Sequence, residues 1–490
     1  MSTTQNPVRV PPAPPGSTNG AVRRGAANDR FGLHLTRAGV DRLTGQDLSS
    51  LWPEDMGWPQ DIGAIAILDG AALLDAAGRL RLSAIRAAIA CRIHLVPRLR
   101  QVIYRPPRGL GRPLWVDAND FDPADHIRVW PLGGTAVEKD LLAVCAQLRR
   151  YPLDRSRPLW QLWLLPGLSD GRVGMLLRLH HVLADGVASV ALIGALLDLS
   201  PEPVAVSARS WTPAPVPSGR VLFVDNLRRH ASVLAAAVSR LARPAQSARA
   251  IRSVWPAMRE VLAGTRAPRT SLNRPYAGER TIALVRARLD RARLCAHAHQ
   301  ATINDLVLAV VAGGLRDLLS ARGERVEDLV LLAAVPVSLH REPRGTARGN
   351  LDGGMVIPLP VGEPDPSARL RLIAAESRRR KQLPRPQLFV GVLAIAAVQK
   401  AMARLVRRQR RVNFYVANVP GPSVPLYLTG APLREAFAVV PIMGNIGLGV
   451  GVLSYAGQLN FTTIADRDGF PDLEVFLHGM RRSLAQLQAT

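Results

Sequence analysis

The sequence predicts a mixed α/β (α+β) fold built as two domains. Three observations carry that prediction. Strand-like apolar runs alternate with segments of helical period, the alternation occurs in two separate blocks, and a Pro- and Arg-rich stretch divides them. A chain of 490 residues also exceeds what one hydrophobic core organises, since domains run to roughly 100–200 residues.

Residues 1–30 carry no such pattern. MSTTQNPVRVPPAPPGS is Pro-rich and lacks the apolar core of a secretory signal, so it reads as a disordered tail on a cytoplasmic protein. The first block spans 31–200 and opens as a loop. Residues 62–68 form an apolar run of strand length, and a helix follows over 80–91, after a turn at Gly78. Pro97 begins extended chain, and 113–132 alternates strand and turn signals. Residues 137–149 place apolar side chains at the helical period. Strands are expected at 159–165 and 173–179, then a small-residue helix from about 187 to 199.

Residues 201–279 differ in character. They begin Pro-rich and continue as arginine-studded helix over 221–243 and 248–262; between 201 and 280, 13 Arg face 4 Asp or Glu. A solvated linker is one reading. Basic amphipathic helices resting on a membrane or lipid droplet are the other. The second block, 280–490, is expected to run strand (281–289), helix (303–319), strand (329–338), a Gly-rich loop through Asn350, strand (355–360), and helices from 367 and over 389–404. Strands then recur at 412–418, 435–440, 447–455 and 458–465, before a terminal helix at 471–487. Residues 436–453 are uncharged and nearly long enough to span a bilayer. Pro441, Asn445 and four glycines interrupt them, so two buried strands joined by a turn are expected instead.

Composition narrows the function. Hydrophobic residues at 48% and charged residues at 21% are those of a globular protein. Lys and Arg total 63 against 38 Asp and Glu, a net charge of +25 that attracts polyanions such as anionic lipid headgroups or the phosphates of coenzyme A. GC-rich coding, which also enriches Ala, Gly and Pro, accounts for the arginine equally well. The basic clusters at 378–381 and 404–411 could meet CoA phosphates or form solvated helix faces. No nucleic-acid-binding signature accompanies them, so nucleic acid is not an expected partner. Cys91, Cys145 and Cys295 show neither metal-ligand spacing nor a disulfide framework, and no metal site is expected. The tryptophans read mainly as core.

The feature that carries chemistry is Leu179-His180-His181-Val182-Leu183-Ala184-Asp185-Gly186, of frame HHxxxDG. The apolar run 173–179 puts the histidines at the carboxyl end of a strand, where α/β layers present reactive groups. Successive strand residues point to opposite faces, so one imidazole is expected to be buried and the other open to substrate. Gly186 is expected to allow a positive φ in a tight turn. Asp185 either holds the loop, through an arginine or backbone donors, or orients the imidazole. An imidazole near its unperturbed pKa of about 6.5 suits a general base. No GxSxG elbow offers an alternative nucleophile.

HHVLADG resembles the active-site motif of the CoA-dependent acyltransferase superfamily. Further segments resemble those of the bacterial wax-ester-synthase/diacylglycerol-acyltransferase family: Pro158-Leu159-Trp160, the Asn304-Asp305 pair, Pro336-Val337-Ser338-Leu339 with Gly349-Asn350, and Asn418-Val419-Pro420-Gly421-Pro422. The resemblance runs from about residue 43 to the C-terminus. His340 stands where that family usually has arginine, LDGGMVIPLP is richer in glycine than its counterpart, and the DFGWG motif of other superfamily branches is missing.

The resemblance implies two chloramphenicol-acetyltransferase-like domains, mixed sheets flanked by helices, with the active site at their interface. It implies His181 as proton acceptor, with His180, Asp185 and Gly186 completing the catalytic motif. Pro158, Leu159, Trp160 and Asn304 become substrate-binding candidates, Asn304 either donating to the oxyanion or capping its helix. Acyl-CoA enters as a substrate, with no cofactor. Diacylglycerol or a long-chain alcohol accepts the acyl group, giving triacylglycerol or wax ester. Two alternatives stay open: a carrier-protein thioester as donor to a polyketide or glycolipid hydroxyl or an amine, and a non-catalytic lipid-surface protein.

Overall fold

The computed structural model describes residues 40–203, 206–207, 209–242, 252, 266–338, 352–382, 404 and 406–489. The tail, the expected helices over 248–262 and 389–404 apart from Arg252 and Arg404, and the loop through Asn350 lie outside them.

The strands in chain order are β1 (Asp61–Asp69), β2 (Gln101–Tyr104), β3 (Leu114–Asp117), β4 (Ile127–Val129), β5 (Trp160–Pro166), β6 (Arg172–His180), β7 (Arg280–Arg288), β8 (Val330–Ser338), β9 (Asp352–Pro360), β10 (Phe414–Pro420), β11 (Tyr427–Leu428), β12 (Ala431–Val439), β13 (Leu448–Tyr455) and β14 (Gln458–Asp466). Two six-stranded sheets result, of order β11-β12-β1-β6-β5-β4 and β7-β14-β13-β10-β8-β9, with β2 and β3 a separate hairpin. Both large sheets are mixed: β4/β5, β8/β10 and β10/β13 pair in parallel and the rest antiparallel.

The helices are α1 (Gly45–Asp55), α2 (Leu82–Arg92), α3 (Pro123–His126), α4 (Glu138–Leu148), α5 (Gly186–Leu196), α6 (Gly219–Leu241), α7 (Leu289–Ala298), α8 (Ile303–Ala321), α9 (Pro366–Lys381) and α10 (Leu473–Ala489). Strand alternation sorts the first sheet's side chains into two cores. Ala66, Leu68, Met175 and Leu177 face α2 and α5, whereas Ile65, Ile67 and Leu176 face the second sheet. On that inner side they meet Leu141 and Cys145 of α4, Ile282 and Leu284 of β7, Ala417 of β10 and Ile464 of β14. The second sheet's other face is covered by α8, which is buried along most of its length under α10. Gly314 and Gly479 permit that approach, since a β-carbon on Gly479 would lie 2.9 Å from the Gly314 Cα.

Two helices of ten residues or more were not expected. Residues 45–55, read as loop, form α1, begun by a capping box between Thr44 and Asp47 and continued through Pro53. Residues 289–298 continue directly from β7 as α7. The sheets also do not divide the chain at one point. β11 and β12, placed by sequence in the second block, join the edge of the first sheet, with β12 antiparallel to β1. Residues 436–453 accordingly end one strand and begin another in the opposite sheet. Among the described residues no helix is long and apolar enough to cross a membrane.

Candidate active site

β6 lies between β1 and β5 and is buried along nearly its whole length, which explains its continuous apolar run. His180 ends it, opposite Asp61 of β1. The His180 ring is fully buried: its Nδ1 accepts the Val182 N–H at 3.0 Å and its Nε2 lies 3.2 Å from Glu54 Oε2. An acceptor nitrogen carries no proton, so the proton is on Nε2, facing the carboxylate. The contact is bent away from the ideal donor direction, but the Glu54 carboxylate is the acceptor that Nε2 faces.

His181 is the first residue off the strand. Its N–H donates to Gln60 O at 3.0 Å, and the residue is half-buried. Burial pushes its imidazole pKa below the ordinary 6.5, against an opposing pull from Asp185. The ring is therefore neutral at pH 7 and able to take up a proton. Asp185 is buried and caps α5, accepting the Ala188 N–H at 2.9 Å, so backbone donors hold it in the loop.

Three expectations change. Gly186 is not among the glycines with positive φ; it is the first residue of α5, and its missing side chain matters because a β-carbon would meet Val419 Cγ2 at 2.9 Å. Leu159 and Trp160 are sealed in the core beside a buried Pro158, which places them beneath the site and out of a substrate's reach. Leu159 O accepts the His180 N–H, and Trp160 stacks on His126 at 4.6 Å and donates to Leu99 O at 2.7 Å. Asn304 sits half-buried in the first turn of α8, but Thr302 and Asp305 form the capping box, so capping does not account for it.

A second buried group escaped the sequence reading. Asp61 is fully buried, with Arg149 Nε at 2.8 Å, Arg178 Nε at 3.1 Å and Arg280 Nη1 at 3.9 Å from its carboxylate. Burial alone would raise the Asp61 pKa, but the three guanidiniums hold it far below the usual carboxylate range. The same burial lowers Arg149 to about 10. Arg280 begins β7 of the second sheet and donates to Arg149 O at 2.8 Å, so the cluster ties the two sheets together beside His181. The legible signal was Arg178, a charge inside a strand buried on both faces, which requires a partner.

The description "wax ester synthase/diacylglycerol acyltransferase catalytic domain" matches residues 43–307, and the C-terminal domain of the same family matches 348–488. The chain belongs to this family. The acyltransferase is 31% identical over 421 residues to the probable diacylglycerol O-acyltransferase tgs1 of Mycobacterium tuberculosis, covering 83% of this chain and 88% of that one. Its fold is similar to the wax ester synthase/diacylglycerol acyltransferase from Marinobacter aquaeolei VT8, with a TM-score of 0.65 at 23% identity over 92% of this chain and 99% of that one. It is also similar to the first condensation domain of the calcium-dependent antibiotic synthetase, with a TM-score of 0.57 at 16% identity over 93% and 97% of the two chains. The two-domain chloramphenicol-acetyltransferase-like architecture and the acyltransferase class follow.

Proposed function

We propose that this acyltransferase moves a long-chain acyl group from acyl-CoA to the free hydroxyl of diacylglycerol, forming triacylglycerol, and that a long-chain alcohol serves as a second acceptor, forming wax ester. His181 is the general base. The contrast within the histidine pair carries this reading: His180 is sealed, with Nδ1 receiving the Val182 N–H and Nε2 facing Glu54, whereas His181 is half-buried, favoured in its neutral form, and set on a turn that ends against Val419 of the second sheet. The name of the tgs1 relative supports diacylglycerol as acceptor.

In the reaction, the His181 imidazole takes the hydroxyl proton as the acceptor oxygen bonds to the thioester carbonyl carbon. The carbonyl electron pair moves onto oxygen, and Asn304 donates to that oxyanion. On collapse the C–S bond breaks, and the imidazolium returns the proton to the CoA sulfur. The acceptor oxygen attacks the thioester directly, so this route passes through no acyl-enzyme. Acyl-CoA is a substrate, and the chemistry asks for no cofactor.

The acceptor is reached at a lipid surface through α6. Its first turns are anchored by the Arg42–Asp225 ion pair at 2.5 Å and by buried Leu222. On the opposite face, Phe223, Leu227, Leu234 and Val238 form an exposed apolar stripe, with exposed Arg228 on its flank to meet anionic headgroups. The protein is then cytoplasmic and peripheral.

The test supplies palmitoyl-CoA with a panel of acceptors, follows free thiol and separates the lipid products. Triacylglycerol from diacylglycerol is expected, and folded His181→Ala should lose roughly 10²–10⁴-fold in kcat. Activity within tenfold of wild type would remove His181 from the mechanism.

A further inference from the structure

Glu54 lies outside every motif in the sequence, yet it reaches both supports of His181. It sits in the last turn of α1 with its side chain 2% exposed. That is a costly place for a carboxylate, buried at the negative end of a helix. Arg155 offsets the cost, with Nε and Nη2 at 3.2 and 3.1 Å from Glu54 Oε2. Burial pushes the Glu54 carboxyl up, but His180, the Gln60 amide and Arg155 together hold it below its ordinary value, so it is an anion.

One arm of the support runs through His180. The carboxylate faces Nε2 at 3.2 Å, which leaves Nδ1 free of a proton to receive the Val182 N–H. The other runs through Gln60, whose N–H donates to Glu54 Oε1 at 3.3 Å and whose C=O receives the His181 N–H at 3.0 Å. If the proton moved to Nδ1, two N–H groups would face each other and the turn over 181–185 would open.

We propose that Glu54 is a positioning residue of the acyl-transfer site, fixing His180 as its Nε2-protonated tautomer so that the turn presents His181 in one orientation. The proposal rests on His181 as the base. A residue serving only as ion partner for Arg155 would need its charge. A residue serving as acceptor for Nε2–H needs an oxygen at the right reach, and Arg155 would still hold Asp55 at 2.7 Å and Leu51 O at 2.8 Å.

Glu54→Gln, Glu54→Asp and Glu54→Leu separate these roles. Gln keeps reach and an acceptor oxygen without charge, Asp keeps charge but withdraws the oxygen, and Leu keeps size alone. Leu is expected to lower kcat per folded molecule by roughly 10–100-fold, with KM for palmitoyl-CoA within about threefold. Gln is expected to restore kcat to within about fivefold of wild type and to exceed Asp. Imidazole ¹⁵N spectra should show His180 protonated at Nε2 in wild type and Gln, and a tautomer mixture in Asp and Leu. Should the Leu variant not fold, the order of Gln and Asp decides. Asp exceeding Gln, Leu retaining wild-type kcat, or a His180 tautomer unchanged in Asp would overturn the proposal. Full activity in His181→Ala would instead remove the base while leaving the tautomer readout on Glu54 intact.

Discussion

Gly186 and Val419 touch across the two sheets: the first residue of α5 leaves no room for a β-carbon against the Val419 Cγ2. The histidine turn and the Asn418–Pro422 segment, far apart in the chain, thus form one contact. Gly186→Ala should cost about 1–3 kcal/mol of stability by overpacking, with a drop in kcat, because the turn carrying His181 must shift. Val419→Ala removes the clashing methyl, so the double variant should regain most of both losses. Additive losses in a double-mutant cycle read by denaturant unfolding and kcat would show that the contact is not the cause.

The Asp61 cluster makes a prediction of opposite kind. Asp61→Asn leaves Arg149, Arg178 and Arg280 facing one another in a dry interface, and should cost about 3–5 kcal/mol in denaturant unfolding. Arg280→Met removes one of the surplus cations and should cost far less. Equal effects of the two would mean that Asp61 does not neutralise the group.

The pH dependence follows from His181. Its folded pKa lies below 6.5, so the neutral base persists as pH falls through 6.5, and the acid limb of kcat/KM should have its midpoint below that value. The unfolded chain binds this proton more readily than the folded one. Stability should therefore decline as pH falls below about 6.5, the window between the unfolded and folded values, with His126, likewise lowered by burial, adding to the effect. An acid-limb midpoint above 6.5 would contradict the partial desolvation of the ring.

These predictions draw on parts of the molecule that differ in how legible they were. β1, β5 and β6 follow from apolar runs bounded by turn residues, and α4 and α8 from a helical period, because burial imposes those patterns locally. α1 was hidden by Gly45 and Pro53, although the Thr44–Asp47 box announced its start. α7 was hidden because LDRARLCAHA follows β7 with no breaker between them. The sheet that β12 joins was not legible at all, since a buried strand has the same pattern on either sheet. Of the site, the histidine pair was visible as a motif. Glu54 and Asp61 were not, since a lone carboxylate becomes special only when folding brings His180 or three arginines to it.

The exposed stripe of α6 yields the last prediction. Phe223 and Leu227 are 54% and 59% exposed and Leu234 66%, so none of them supports the core, and replacing all three with Ser should leave unfolding unchanged. Each buries roughly 1.5–3 kcal/mol of apolar side chain if it enters a lipid surface fully, and partial entry of three is enough for at least a tenfold loss of partitioning in the triple variant. Co-sedimentation with vesicles containing phosphatidylserine reads that loss. Arg228→Glu should weaken binding at low salt and matter little at 1 M, where charges are screened beyond about 3 Å. Thiol release with a short-chain acyl-CoA and a water-soluble alcohol should stay at the wild-type rate in both variants, because neither touches the histidine turn. Vesicle binding equal to wild type in the triple-Ser variant would show that α6 does not carry the lipid contact.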